Sequence, residues 1–355
     1  MIFHRVSNGG CQSYVVGCPE KCVAALIDPC MAQIDRYRGL LAREGMTLRY
    51  VIDTHTHADH FSAARTLGEA FNVPVVMHRN TPVAHVDLLL EDGDTVALGD
   101  MRVHVLYTPG HTVDSMCLLL EDRVFTGDTL LIGGTGRTDL PTGDPEALHD
   151  SLFNRLLRLD PATQVFPAHN YKDDVSTTIG REIAENPRLQ QRDRGAFVSM
   201  MQHLNLSAPD HMREALRTNL SGGKTVEQLL REARIKVPFI GPGTLHAQIS
   251  CGANDLLILD VRERAPFEDG HIMGAKHLPR GQIELRVNQE LPDPTLRIVA
   301  ICEVGNVSTL AAATLRDLGF NRAVALDGGM KAWREAEFPL EAGPAQEWLE
   351  DYPVI

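Results

Sequence analysis

The chain has 355 residues, a formal net charge of −13, 43% hydrophobic residues and 23% charged residues. That length suits two domains better than one, and the composition is that of a globular protein. The acidic balance argues against a nucleic-acid partner, and no apolar run approaches the roughly 18 residues of a membrane span.

The N-terminus, Met1-Ile2-Phe3-His4-Arg5, leads into neither an apolar core nor a cleavage site, so secretion is not indicated. Seven cysteines spread along the chain predict reduced thiols in a cytoplasm, not a disulfide framework.

In chain order, the first half alternates strand-like and helix-like runs. Strands are predicted at Ser13–Gly17, Val23–Asp28, Leu48–Thr54, Val75–His78, Val103–Tyr107, Ser115–Leu120, Arg123–Phe125 and Gln164–Phe166. Helices are predicted at Ile34–Glu44, Phe61–Phe71, Pro145–Leu157 and Val175–Glu185. Residues 195–235 read as a polar helical connector with a break at Ser221-Gly222-Gly223. After Pro238 and Gly241-Pro242-Gly243, a second alternating unit runs through Leu256–Asp260, Ile298–Ile301 and Ala323–Leu326. The expected division is a first domain over 1–235 and a second over 236–355.

Four ligand-type clusters each follow a predicted strand. They are His55-Thr56-His57-Ala58-Asp59-His60, then His111, Asp128 and His169. Ligands gather at the carboxyl edges of strands in α/β sheets, and imidazole and carboxylate are ligands for zinc and non-haem iron. Isolated histidines are better read as packed or hydrogen-bonded residues, so His78, His85, His104, His149, His203 and His211 receive no role. Ligand count alone fits two zinc ions or one iron equally well.

The motif His-x-His-x-Asp-His with the later His, Asp and His resembles the metallo-β-lactamase superfamily over about the first 190 residues. The resemblance implies a four-layer αβ/βα sandwich. The run Gly136-Arg137-Thr138-Asp139, with Asn170-Tyr171 and Asn186-Pro187-Arg188, is similar to the persulfide dioxygenase branch. That branch implies one Fe(II) per chain, held by His55, His111 and Asp128 as a facial two-histidine, one-carboxylate set. His57, Asp59, His60 and His169 would then orient the ligands. Arg137, Tyr171 and Arg188 correspond to the branch's glutathione-binding residues. Two guanidiniums and a phenol suit the carboxylates and amides of a tripeptide thiol.

In the second half, Cys302 ends an apolar strand and opens the loop Glu303-Val304-Gly305-Asn306-Val307-Ser308 ahead of a helix-like run. Backbone N–H groups and the helix dipole at such a place lower a thiol pKa and hold an anion. The other six cysteines, Cys11, Cys18, Cys22, Cys30, Cys117 and Cys251, are expected to be structural and buried.

Asp260-Val261-Arg262-Glu263, the stretch Gly270–Pro279, and Leu326-Asp327-Gly328-Gly329-Met330 with Trp333 resemble the rhodanese signature over about 238–342. The resemblance implies an α/β domain with a central parallel sheet and a persulfide carried on Cys302. Val307 stands where a basic residue is common, which leaves three readings: backbone donors hold an anionic donor, Arg262 substitutes for the missing cation, or the loop favours an uncharged-end donor such as glutathione persulfide.

Together the two resemblances imply a bacterial fusion enzyme. Its expected partners are glutathione persulfide and dioxygen at the iron, and thiosulfate, sulfite and glutathione at Cys302. A dizinc thioester hydrolase fused to a persulfide-binding module is the alternative. Neither nucleic acid nor membrane is expected. A homodimer is compatible with the sequence.

Overall fold

The computed structural model describes residues 1–171, 176–204, 206–207, 212–253, 255–291 and 293–344. His211 and Val175, the first residue of a predicted helix, lie outside them. The chain divides into two compact units, Met1–Gly223 and Lys224–Ile355.

The first unit opens with β1 (Ile2–Asn8), β2 (Cys11–Cys18), β3 (Val23–Ile27), β4 (Thr47–Ile52), β5 (Val75–His78) and β6 (Leu88–Leu90). These form one six-stranded sheet in that order, antiparallel through β3 and parallel from β3 to β6. Next come β7 (Thr95–Leu98), β8 (Met101–Tyr107), β9 (Met116–Leu120), β10 (Arg123–Gly127), β11 (Leu130–Leu131), β12 (Gly134–Thr135), β13 (Gln164–Pro167) and β14 (Thr177–Thr178). The second sheet runs β14-β13-β10-β9-β8-β7, and β11 pairs with β12 separately.

Strand alternation sorts the side chains into layers. Tyr14 and Val16 join Ile52, Val105, Met116, Phe125 and Phe166 in a core between the sheets. On the other face of β2, Val15 packs with Leu26, Val51 and the helical residues Tyr37, Leu41 and Leu67. On the far side of the second sheet, Cys117, Val124 and Val165 pack under Leu148, Leu152, Ile179 and Phe197. The result is an αβ/βα four-layer sandwich.

Three helices are shorter than their sequence patterns, one of them Ile179–Glu185, which is preceded by strand β14 and capped by Thr178. Ala64–Phe71 starts after Phe61–Ala63, because Ser62 Oγ donates to Asp53 (2.6 Å) and Ser62 N–H donates to Asn219 (3.0 Å). Pro145–Phe153 is capped by Asp144, and a 3₁₀ turn covers Leu156–Arg158. The stretch read as a connector contains helices Arg194–Gln202 and Met212–Ser221. Gly222, at φ +68°, ends the latter. A third helix, Val226–Lys236, places Ala233 in the core of the second unit.

That unit has a parallel sheet of β15 (Phe239–Ile240), β16 (Leu256–Asp260), β17 (Lys276–His277), β18 (Arg297–Ile301) and β19 (Val324–Leu326), ordered β15-β19-β18-β16-β17. Ile298 and Ala300 face a core with Ala311, Ala312 and Leu315. Val299 and Ile301 face one with Leu245, Phe267, Met330 and Trp333. Among the described residues, no helix is long and apolar enough to cross a membrane.

Candidate functional site

The motif loop leaves β4 over a fixed foundation. Thr54 N–H donates to Asp28 Oδ1 (2.7 Å), its hydroxyl donates to Asp28 Oδ2 (2.9 Å), and Thr56 Oγ1 donates to Asp114 (2.6 Å). Asn219, from helix Met212–Ser221, donates to the carbonyls of His57 (2.9 Å) and His60 (2.8 Å). Gly110 and Gly127 both have positive φ. A Cβ at Gly110 would stand 2.3 Å from Leu148 backbone atoms, and one at Gly127 would stand 2.5 Å from Thr54 Oγ1. Those close approaches set the neighbouring ligand-type side chains against the motif loop.

The titratable residues fall into three groups, within each of which the nearest ligand-type atoms lie inside 4.8 Å of one another: His55, His111 and Asp128; Cys11, Asp59, His60 and His169; and Asp28, Asp53 and His57. In the first group, His55 Nδ1 lies 2.9 Å from Thr54 Oγ1, and its buried Nε2 has no partner among the described residues. His111 Nδ1 donates to the Arg137 carbonyl (2.7 Å). Its Nε2 stands 3.6 Å from Asp128 Oδ2. Each imidazole is thus anchored through one nitrogen, and each presents the other toward the group.

Burial tends to raise Asp128, but His169, His111 and His55 outweigh it and hold the carboxyl well below the usual range. His169 lies between two carboxylates, with Nδ1 2.7 Å from Asp128 Oδ1 and Nε2 2.7 Å from Asp59 Oδ2. Burial opposes its protonation, yet those carboxylates raise its pKa well above that of a free imidazole. His57 faces the foundation instead, with Nε2 3.3 Å from Asp28 Oδ1 and 3.8 Å from Asp53 Oδ1. His60 Nδ1 is 3.2 Å from Asp59, and its Nε2 is buried without a partner among the described residues.

A cavity of about 690 Å³ opens onto this cluster, with Cys11, Asp59, His111, Asp128, His169 and the predicted glutathione residues in its wall. Arg137 is paired with Asp139 (2.6 and 2.7 Å) and donates to Ser207 O (2.7 Å). Arg188 is half-buried, donates to Thr135 O (2.6 Å), and makes no ion pair among the described residues. Burial lowers its pKa, so a carboxylate in the cavity would relieve an uncompensated charge. Tyr171 is 79% exposed and stacks on His169 with ring centroids 5.7 Å apart.

Cys11 was expected to be structural and buried, and it is neither fully buried nor isolated. Its Sγ lies 3.5 Å from Asp59 Oδ2 and 3.5 Å from His169 Nε2. Burial raises the thiol, but His169 and His60 outweigh it and bring the pKa down to about 7. Cys22 and Cys251 are exposed, also against expectation, while Cys18, Cys30 and Cys117 are buried. The Gly9-Gly10 pair, with φ +57° and +101°, is the one sequence signal that marks Cys11 as lying at a turn.

In the second unit, Cys302 follows β18 and is buried. Its Sγ accepts from the Gly305 N–H (3.2 Å) and donates to the Ser308 hydroxyl oxygen (3.3 Å), which itself donates to Gly305 O (3.0 Å). Gly305 has φ +91°, and helix Asn306–Asp317 begins directly after it. Val304 and Val307 are exposed on the loop. Arg262 is buried, and its guanidinium is engaged. Nε and Nη2 donate to Asp260 (3.0 and 2.7 Å), Nη2 also to Gly270 O (2.8 Å), and Nη1 to Glu303 (3.4 Å). An anionic donor would have to compete with two carboxylates for it.

This fold and site define a metallo-β-lactamase superfamily enzyme followed by a rhodanese-like domain. The Metallo-beta-lactamase superfamily model matches residues 6–169, and the Rhodanese-like domain model matches residues 242–336. The human mitochondrial persulfide dioxygenase ETHE1 is 33% identical over 213 residues, covering 59% of this chain and 84% of that protein. The crystal structure of ETHE1 from Myxococcus xanthus is 39% identical, covers 63% of this chain and all of that one, and has a TM-score of 0.61. A metallo-β-lactamase from Staphylococcus aureus shares the fold at 21% identity, with a TM-score of 0.58 over 92% of this chain. The chain belongs to the ETHE1 persulfide dioxygenase family and carries a rhodanese-like domain in addition.

Proposed function

We propose that the first unit oxidises glutathione persulfide with dioxygen and water, giving glutathione and sulfite, at a single Fe(II) held by His55, His111 and Asp128. The observation that carries this reading is the pair of anchored imidazoles with their second nitrogens turned to one buried carboxylate. A buried imidazole nitrogen without a partner is costly unless a ligand satisfies it. Two histidines and one carboxylate match the donor preference of non-haem iron and leave one face open. When bound there, iron supplies a place for the persulfide sulfur and dioxygen to meet.

The protein's own groups do the rest. Arg188 receives a glutathione carboxylate, and Arg137 and Tyr171 border the same peptide. His169, between Asp59 and Asp128, orients Asp128 and holds a proton beside the reacting sulfur. His57 ties the motif loop to Asp28 and Asp53, and His60 rests against Asp59.

In the second unit, Cys302 carries sulfur between thiosulfate, sulfite and glutathione. Its thiolate attacks the outer sulfur of thiosulfate, an S–S bond forms on Cys302, and sulfite leaves. Glutathione thiolate then takes that sulfur as glutathione persulfide and frees Cys302. The Gly305 N–H is placed to stabilise the anionic sulfur at the start of helix Asn306–Asp317. The product of this exchange is the substrate of the first unit, and a covalent tether raises its effective concentration there.

The test is metal analysis of protein purified without chelator, together with oxygen uptake on adding glutathione persulfide. One iron per chain with rapid uptake is expected. Two zinc ions with thioester hydrolysis and no uptake would establish the hydrolase instead.

A further inference from the structure

One nucleophile in the cavity has no part in either reaction. The Gly9-Gly10 turn brings Cys11 beside His169, fixed by Asn170 N–H to Gly10 O (2.8 Å) and Gln12 N–H to Ala168 O (2.7 Å). A Cβ at Gly10 would lie 3.3 Å from the Tyr171 ring, so the chain passes close against the cavity wall at this point. Cys11 lines the same cavity as Arg188 and Tyr171. Its Sγ stands 3.5 Å from His169 Nε2, and a His60 ring nitrogen lies within 4.8 Å. His60 is 8% exposed, and its Nε2 is without a hydrogen-bond partner among the described residues.

We propose that Cys11 is a sulfur-accepting thiol of the first unit, taking the terminal sulfur of a glutathione persulfide held in this cavity and returning it to glutathione. This rests on glutathione persulfide being the ligand of the cavity. The Cys11 thiolate attacks the terminal sulfur, and a bond forms between the two. The S–S bond of the glutathione persulfide breaks, and its electron pair leaves on the glutathione sulfur as thiolate. The proton on the terminal sulfur stays with it. Nothing is oxidised overall and no further reactant is needed. Glutathione attack on the same sulfur reverses the step.

The neighbouring groups suit both directions. Imidazoles beside the sulfur stabilise the attacking thiolate and, once the transferred sulfur has lost its proton, the persulfide anion. Other cysteines of the first unit lack this setting. Burial raises the Cys30 thiol and pushes Cys117 up to about 12, and Cys22 is exposed away from any imidazole contact among the described residues. Cys11 would therefore hold one sulfur atom off the oxidation path when oxygen is scarce.

The full-length, metal-containing protein is incubated briefly with glutathione persulfide without oxygen, alkylated and mapped by peptide mass. The expected result is a one-sulfur mass increase on the Cys11 peptide at least about tenfold above that on exposed Cys22 and Cys251, erased by excess glutathione. Parity with Cys22 and Cys251, or an increase that glutathione does not remove, overturns the proposal. Oxygen uptake is measured in air on an untreated aliquot of the same preparation. Uptake without sulfur on Cys11 sinks this inference alone. Sulfur on Cys11 without uptake supports it and sinks the dioxygenase reading.

Discussion

The two reactive centres hold their key atoms by opposite means. In the first unit, side chains from distant strands converge, and imidazoles and carboxylates fix one another: His169 alone spans Asp59 and Asp128. In the second unit, one strand, one glycine turn and one helix start suffice, and the Cys302 sulfur is met by a backbone N–H and a hydroxyl six residues on. The difference teaches where each site is vulnerable. A centre built from side chains fails when one is removed. A centre built from backbone fails when the path of the chain changes.

The largest effects should come from the reactive atoms. His111→Ala removes a candidate ligand and its anchor to the Arg137 carbonyl, so oxygen uptake should fall to background and bound iron should drop in parallel. Cys302→Ser should abolish sulfur transfer from thiosulfate to glutathione, read as glutathione-dependent sulfite release. Gly329→Ala tests the backbone half of the comparison. A Cβ there would stand 2.3 Å from the Cys302 carbonyl, at φ +60°. Transfer should be lost although no reacting group has been touched. Retained transfer would show that the loop tolerates displacement and would break the contrast.

Legibility followed the same divide. The Cys302 loop was readable because every part of it is local in sequence. The motif residues were readable because they follow strand ends, where an α/β sheet collects ligands. What sequence could not give was how the residues would pair. That His57 turns to Asp28 and Asp53 depends on the parallel pairing of β3 with β4, which sets Ile27 beside Ile52. Cys11 reaches His169 only through the Gly9-Gly10 turn, across 158 positions. Asn219 lies in a polar helix with no motif, yet it holds two carbonyls of the motif loop. Arg262 was readable as a basic residue near Cys302, but its engagement by Asp260 and Glu303 is a tertiary fact.

Intermediate effects should come from groups that border the cavity. Arg188 has no carboxylate of its own among the described residues, whereas Arg137 is already held by Asp139. A charge-assisted hydrogen bond is worth about 1.5–3 kcal/mol, so Arg188→Ala should raise KM for glutathione persulfide by roughly tenfold to a hundredfold. Arg137→Ala should raise it less. The reverse ranking would place the peptide carboxylate against Arg137. Asn219→Ala should lower stability by about 1–3 kcal/mol in urea unfolding, since it leaves two buried carbonyls unpaired.

The smallest effect is expected at the rim of the second site, and it asks whether a backbone-built centre gains from a side-chain charge. Val307 is exposed, and Arg262 is committed to carboxylates. A guanidinium introduced by Val307→Arg would therefore be the first unpaired cation in the loop itself. Exposed charges a few ångströms apart interact by about 1 kcal/mol in water, so KM for thiosulfate should fall by a few-fold, and the gain should shrink as salt rises. KM for a glutathione persulfide donor, which carries less charge at its reacting end, should move less. If neither KM changes at low salt, the Gly305 N–H and the helix N-terminus already bind the anion as well as a cation would, and charge at the rim adds nothing to a site of this construction.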